Sequence, residues 1–178
     1  MAKLSISITS TFSPRGEEQY IGLNKNTDPA DKVQAFVDCF APAAENVSRN
    51  CYGLHAQLIL AQWGAESGWG SAPNSQFQQN WGGIKGGRQP GSKPEVSKSG
   101  SSMFYGINTF QNAYLYILKN VGNYSLLLNY LRFGNYPSVE GCIKLMASSG
   151  YCAGNKAVYE KLLTDCVATL NRRSNFKG

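Results

Sequence analysis

Residues 58–70 of the chain read LILAQWGAESGWG. The first half of this run is apolar nearly all round, which is typical of a helix that passes through a hydrophobic core. Glycines on both sides of Glu66 then favour the end of the helix. The pattern predicts a buried helix over about 52–65, interrupted by His55 and Gln62, that delivers a single acid to its carboxyl end.

The position of Glu66 suits a general acid. The negative end of the helix dipole disfavours a second negative charge there, and the neighbouring Trp63 and Trp69 would reduce its contact with water. Both effects favour the protonated carboxyl that an acid catalyst needs near neutral pH, and such a group is commonly used to protonate a glycosidic oxygen. The alternative is a polar corner residue that accepts hydrogen bonds from exposed backbone N–H groups.

Length and charge narrow the class of partner. The chain has 178 residues, enough for one domain with its own core. Its net charge of +6, from 17 basic and 11 acidic residues, favours polyanions such as nucleic acid, anionic membranes or wall polymers. No long Lys/Arg block or membrane-length apolar run occurs, so we expect no nucleic acid and no membrane partner. A merely soluble basic surface is the alternative.

Residues 1–28 are polar and rich in turn-forming residues. They predict an N-terminal extension ahead of a single domain over 29–178. The start of the chain alternates like a short strand and lacks the continuous apolar region of a secretory signal. Either a signal was removed, or the protein leaves the cell by another route.

Five cysteines in a domain of this size favour an oxidising compartment. We predict two disulfides and one free thiol; five buried thiols in a cytosolic protein are the alternative. Cys142 and Cys166 are expected to face the core and could pair, with Cys152 competing for either. Because no C-x-x-C pair occurs, we expect no metal or other cofactor. His55, the only histidine, fits a hydrogen-bonded structural group.

Apolar residues at helical spacing predict five further helices. They cover about 29–47 with Asp28 as the cap, 110–121 after a cap at Asn108, 124–131, a segment opened by Ser138 and a last segment opened by Asn155. The last helix places four residues on one inward stripe: Val158, Leu162, Cys166 and Leu170. Periodicity is lost over 71–108, where 95–97 and 102–105 fit the strands of a hairpin that turns at Ser99-Gly100.

Two short motifs follow the apolar helix, E-S-G-W-G at 66–70 and N-W-G-G-I-K at 80–85. With the helix itself and the intervening NSQFQQN segment, they resemble the glucosaminidase family of peptidoglycan hydrolases, glycoside hydrolase family 73. The likeness extends more weakly over about 33–170. It implies a mainly α, lysozyme-like fold of two lobes, a helical lobe and a small β lobe at about 83–108, with a cleft between them.

The resemblance also implies roles for single residues. Glu66 would be the acid that cleaves the β-1,4 bond after N-acetylglucosamine. Asn80, Ile84 and Lys85 would shape the cleft floor and bind substrate. Tyr151 matches a family tyrosine near the cleaved bond and would position water or substrate, with loop packing as the alternative.

A second catalytic carboxylate has one candidate. Glu95 is the only acid after Glu66 in the expected β lobe, although a solvated surface residue describes it equally well. The N-acetyl group of the substrate or a tyrosine-held water would otherwise serve. Gly82 stands where the family has Phe, which would remove an aromatic wall from the cleft.

Aromatic residues near the motifs are candidates for contact with sugar rings. Trp81, Phe104 and Tyr105 would stack on sugars, each with a place in the core as the alternative, and Trp69 is a further substrate-binding candidate. The basic stretch 85–98 would suit the carboxylates of lactyl groups and stem peptides, or would be only a solvated face.

The expected partner is bacterial peptidoglycan. Cysteines suited to oxidation, without a visible signal peptide, favour an antibacterial effector that a type VI-like machine delivers to the periplasm or cell wall of a target bacterium. A cognate immunity protein would then block the cleft. A phage endolysin is the second interpretation. The alternatives in activity are a muramidase or lytic transglycosylase, and a non-catalytic glycan-binding module.

Overall fold

The computed structural model describes residues 26–135, 137–149 and 154–177, which are mainly helical. The elements are α1 (Pro29–Asn50), α2 (Ala56–Ser67), α3 (Pro73–Gln78), β1 (Ser92–Val96), β2 (Ser102–Phe104), α4 (Ile107–Asn120), α5 (Ser125–Arg132), α6 (Val139–Ser148) and α7 (Lys156–Arg173). None of the helices in this described part combines the length and apolarity needed to cross a bilayer. The predicted mainly α, lysozyme-like fold is confirmed.

Helix α2 forms the centre of the helical lobe. It packs against α1 and α7, and nine of its twelve residues are buried. It begins at Ala56 rather than near Tyr52, because Tyr52 and Gly53 both have positive φ and form a turn after α1. His55 occupies the position before the helix without a side-chain capping bond, and its Nε2 lies 3.0 Å from the backbone oxygen of Pro137, which confirms the structural role predicted for it.

Side-chain caps set the starts of three helices, α1, α6 and α7. Asp28, Ser138 and Asn155 each accept a hydrogen bond from the first turn of the helix that follows, as predicted. Helix α4 differs from its prediction. It begins at Ile107, because the Thr109 hydroxyl, rather than a cap at 108, accepts from the two backbone N–H groups before the helix.

The inward stripe predicted for α7 is partly wrong. Cys166 and Leu170 are buried, but Val158 and Leu162 are 65% and 42% exposed. Helix α7 packs against α1, α2 and α6 together, so its first two turns bury Tyr159 and Leu163 instead. Contacts from three neighbouring helices have shifted the buried face by one position.

The described cysteines form no disulfide, so the two predicted disulfides are wrong. Cys142 and Cys166 lie on packed helices as separate buried thiols. Burial raises the pKa of these two thiols and of Cys51 to about 11. At neutral pH they are protonated and pack as small apolar side chains. Cys152 lies outside the described residues.

The small β lobe lies between α3 and α4. Strands β1 and β2 pair antiparallel with an irregularity in register, and an isolated bridge between Lys85 and Ser101 extends the pairing. The predicted hairpin and its turn are confirmed, with Gly100 N–H donating to Ser97 O at 2.8 Å. Strand β2 is the inner strand, whereas the second half of β1 faces solvent.

Candidate active site

The corner that carries Glu66 turns sharply at the end of α2. Gly68, Trp69 and Gly70 have φ values of 58°, 54° and 77°, so three successive residues are left-handed. The Ser67 hydroxyl donates to Trp63 O at 2.7 Å and accepts from Gly70 N–H at 3.0 Å. These bonds turn the chain away at once and leave the Glu66 side chain at the helix end.

The Trp69 indole locks this corner onto α2. A Cβ at Gly64 would lie 2.5 Å from Trp69 Cε3, so only glycine leaves room for the ring. The ring also meets Phe36 edge-on, with centroids 5.6 Å apart. Trp69 is half-buried and has a clear structural role, while its contact with substrate stays a prediction.

The N-W-G-G-I-K motif passes directly against the Glu66 carboxyl. A Cβ at Gly83 would lie 2.8 Å from Glu66 Oε2, and Gly83 has a φ of +64°. The left-handed backbone favours glycine here, and any larger residue would push the Glu66 carboxyl aside. The fold therefore brings together the two motifs that the sequence presents as separate stretches.

Asn80 holds this loop in place. Its side-chain amide donates to Ile84 O at 2.8 Å and to Ser102 O at 2.9 Å, and its Oδ1 accepts from Ile84 N–H at 3.0 Å. Asn80 and Ile84 are both buried. Asn80 joins the loop to β2, and neither side chain presents an open surface to a ligand. Their place in the cleft floor stays a prediction.

Burial raises the pKa of the Glu66 carboxyl, and the nearby Lys85 ammonium opposes this with a smaller effect. The Glu66 side chain as a whole is exposed, yet its carboxyl lies close to the Gly83 loop. The surroundings of the carboxyl decide its pKa more than the exposure of the whole side chain, because the pKa depends on what surrounds the charge. Lys85 Nζ is itself held by Ser101 Oγ at 2.8 Å. The raised pKa shifts the carboxyl toward the protonated form that a general acid needs.

The aromatic candidates divide between core and surface. Trp81 and Phe104 are fully buried, and Trp81 packs on Phe40 with centroids 4.8 Å apart. Their assignment as sugar-stacking residues is corrected to the core alternative, because neither ring has exposed surface. Tyr105 is half-exposed, and the Lys93 ammonium lies 5.2 Å from its ring centroid.

Among the described residues, no second carboxylate contributes to the pKa shift of Glu66. Glu95 lies on the exposed half of β1, and Lys85 is the charged neighbour that shifts the Glu66 pKa. Tyr151 lies outside the described residues. Clusters of His, Cys, Asp or Glu fit to hold a metal ion are absent from the described ranges.

A buried polar network that sequence analysis missed lies one helical turn before Glu66. The Gln62 amide donates to Tyr159 Oη at 3.0 Å and accepts from the Tyr114 hydroxyl. Burial, with smaller contributions from other groups including Glu66, raises the pKa of Tyr114 and of Tyr124, so both phenols stay protonated. The polar Gln62 in an apolar helix, four residues before the acid, was the only sequence signal.

A crowded carboxyl at the end of a core helix, facing a glycine loop of a small β lobe, is the arrangement of a lysozyme-like glycoside hydrolase. The Glucosaminidase family, described as mannosyl-glycoprotein endo-beta-N-acetylglucosaminidase, matches residues 41–172. That range is well over half of the chain, which therefore belongs to this family. Its domain indicates a glycoside hydrolase that acts on peptidoglycan. Comparison with curated proteins found no match, and comparison with solved structures found none either.

Proposed function

We propose that the chain is an endo-β-N-acetylglucosaminidase that cleaves the β-1,4 bond after N-acetylglucosamine, with Glu66 as the general acid. The approach of Gly83 to Glu66 Oε2 carries this proposal, because it crowds the carboxyl with backbone from the second family motif. Residues 29–178 would form one catalytic domain after the extension 1–28.

In the proposed reaction, protonated Glu66 gives its proton to the glycosidic oxygen as the bond to C1 breaks. Glu95 is exposed on the outer strand, so we assign the second role to the N-acetyl oxygen of the substrate, which attacks C1. The Glu66 carboxylate then takes a proton from the water that displaces this oxygen. Two displacements at C1 retain the anomeric configuration, whereas direct attack by a tyrosine-held water would invert it.

Product analysis tests the bond and the mechanism together. Purified sacculi are digested, the new ends are reduced, and the muropeptides are identified by mass spectrometry. Reducing-end N-acetylglucosamine supports the proposal, whereas reducing or anhydro muramic acid would identify a muramidase or a lytic transglycosylase. Binding to sacculi without any sugar release would identify a non-catalytic module. Proton NMR of a separate, unreduced digest, recorded as the first products appear, shows whether the configuration at C1 is retained.

The proposed setting is the periplasm or cell wall of a target bacterium, where the enzyme would act as a secreted antibacterial effector. Because the described cysteines are free thiols, disulfides do not support an oxidising compartment. Support therefore comes from the activity, since a wall hydrolase is harmful where it reaches peptidoglycan. A cognate immunity protein would block the Glu66 cleft.

Targeted expression tests this setting. The chain is produced in a susceptible bacterium with and without a periplasmic leader, and Glu66→Gln provides the inactive control. Lysis only with the leader and only with Glu66 supports the effector proposal, and rescue by a neighbouring gene identifies the immunity protein. Harmless periplasmic production of active enzyme would contradict it.

A further inference from the structure

A recess of about 260 Å³ lies away from the Glu66 corner. It forms where the turn after α1, the end of α4 and helix α5 meet. It is lined by Tyr52, Lys119, Ser125, Leu128, Asn129 and Arg132. The turn lies before the start of α2, and Glu66 is the next-to-last residue of that helix. The length of α2, twelve residues or roughly 18 Å, therefore separates the recess from the Glu66 corner.

The recess carries two positive charges and no negative one among its lining residues. Lys119 and Arg132 are exposed, and neither has an ion-pair partner within the described ranges. Each also lies in the last turn of a helix, a position that favours cations by itself. Charge alone therefore does not assign a site, although two adjacent cations would attract an anion.

Tyr52 supplies an independent observation. Its φ is +54° and its side chain is 45% exposed, so a bulky residue in a strained conformation is presented to solvent. Among the described residues, the other non-glycine positions with positive φ are Trp69 and Gln79, which flank the Glu66 corner and the loop against it. Strain of this kind concentrates at functional sites.

The lining chemistry fits a sugar that carries a carboxylate. A tyrosine ring offers an apolar face with a polar tip, on which the C–H face of a sugar can pack. The Asn129 amide and the Ser125 hydroxyl offer hydrogen bonds to hydroxyl or acetamido groups. Lys119 and Arg132 would pair with the carboxylate through charge-assisted hydrogen bonds.

We propose that the recess lined by Tyr52, Lys119 and Arg132 is a non-catalytic binding site for carboxylate-bearing saccharides. The inference rests on the proposed function, since the lactyl groups of peptidoglycan supply such sugars. A wall strand held here would stay near the enzyme between cleavage events.

An NMR titration tests the site directly. Backbone amide shifts of the full chain are followed as N-acetylmuramic acid is added, with N-acetylglucosamine as the matched probe without the lactyl carboxylate. We expect shifts at Tyr52, Asn129 and Arg132. The affinity for N-acetylmuramic acid should be at least about tenfold higher than the affinity for N-acetylglucosamine. Neither monosaccharide has a glycosidic bond to cut, so the result stands whether or not the chain releases sugars from sacculi.

Variants distinguish a specific binding site from nonspecific attraction of an anionic sugar to a basic protein. The pair Lys119→Gln with Arg132→Gln should lose the binding, whereas Lys144→Gln with Arg172→Gln, exposed cations elsewhere, should keep it at the same net charge. Tyr52→Asn removes the ring but keeps a residue that tolerates positive φ, and it should also lose binding while its melting temperature is maintained. Shifts confined to the Glu66 corner, or equal loss in both charge pairs, would overturn the proposal.

Discussion

Glu66 and Glu95 are acids of one predicted cleft, yet the fold gives them different surroundings. Glu66 ends a core helix, and its carboxyl lies against Gly83, where burial raises its pKa. Glu95 lies on the half of β1 that faces solvent. The difference teaches that the proposed role of Glu66 depends on the backbone packed against its carboxyl, which a position in the expected lobe does not by itself provide.

The sharpest test of this comparison replaces each glutamate by glutamine. Glu66→Gln should lower the rate of sugar release about 10³-fold, because the amide cannot donate the proton and general acid catalysis contributes on this order. Glu95→Gln is the matched variant and should stay within a few-fold of the unchanged enzyme. Reducing-sugar assays on sacculi measure both. An equal loss from Glu95→Gln would make the exposed strand part of the catalytic machinery and end the contrast.

The next test disturbs the backbone rather than the acid. In Gly83→Ala the new Cβ would meet Glu66 Oε2 at 2.8 Å, so the carboxyl must move, and a displacement of about 1 Å can lower kcat roughly 10²-fold. Gly100→Ala is the control, because Gly100 also has a positive φ, of +74°, but its Cβ would meet open space. Both variants carry the same backbone strain, so thermal denaturation should show similar losses of stability. Equal activity of the two would show that the loop does not position the acid.

The helix starts and the corner at Glu66 were predictable, because they depend on residues that are neighbours in the sequence. Asp28, Ser138 and Asn155 cap the helices that they were expected to cap, because a cap depends only on the next few residues. The motif glycines around Glu66 likewise indicated a tight corner. The resemblance implied that Asn80, Ile84 and Lys85 share a cleft with Glu66, but the approach of Gly83 to the carboxyl was not predicted, since spacing alone does not indicate it.

The features that could not be predicted from the sequence depend on contacts between residues far apart in the chain. Trp81 suits either a sugar or the core, and it is buried because Phe40 from α1 lies against it. Gln62 meets a tyrosine 97 residues later, a separation that no local pattern indicates. Cys142 and Cys166 share a core without a bond, because facing inward does not bring two sulfur atoms together.

The stability of the loop against Glu66 gives a third test of the comparison. Asn80→Ala removes three buried hydrogen bonds, two to Ile84 within the loop and one to Ser102 of β2, and it should lower the free energy of unfolding by about 2–3 kcal/mol. Asn74→Ala changes an exposed asparagine on α3 and should cost well under that. Urea denaturation followed by tryptophan fluorescence measures both. If the two variants lose the same stability, Asn80 does not anchor the loop.

The smallest expected effect concerns the charge beside the acid. Activity that needs protonated Glu66 falls as pH rises through its pKa, and Lys85 lowers that pKa against the larger effect of burial. Lys85→Gln should therefore raise the pKa further and move the alkaline limb of the kcat/KM profile to higher pH. Lys98→Gln, at an exposed position of the same lobe, should leave the limb in place. An alkaline limb that stays in place or moves to lower pH in Lys85→Gln would show that Lys85 does not lower the pKa of the group whose protonation limits the rate. The rate-limiting acid would then not be Glu66, and the contrast between the two acids would not describe the catalyst.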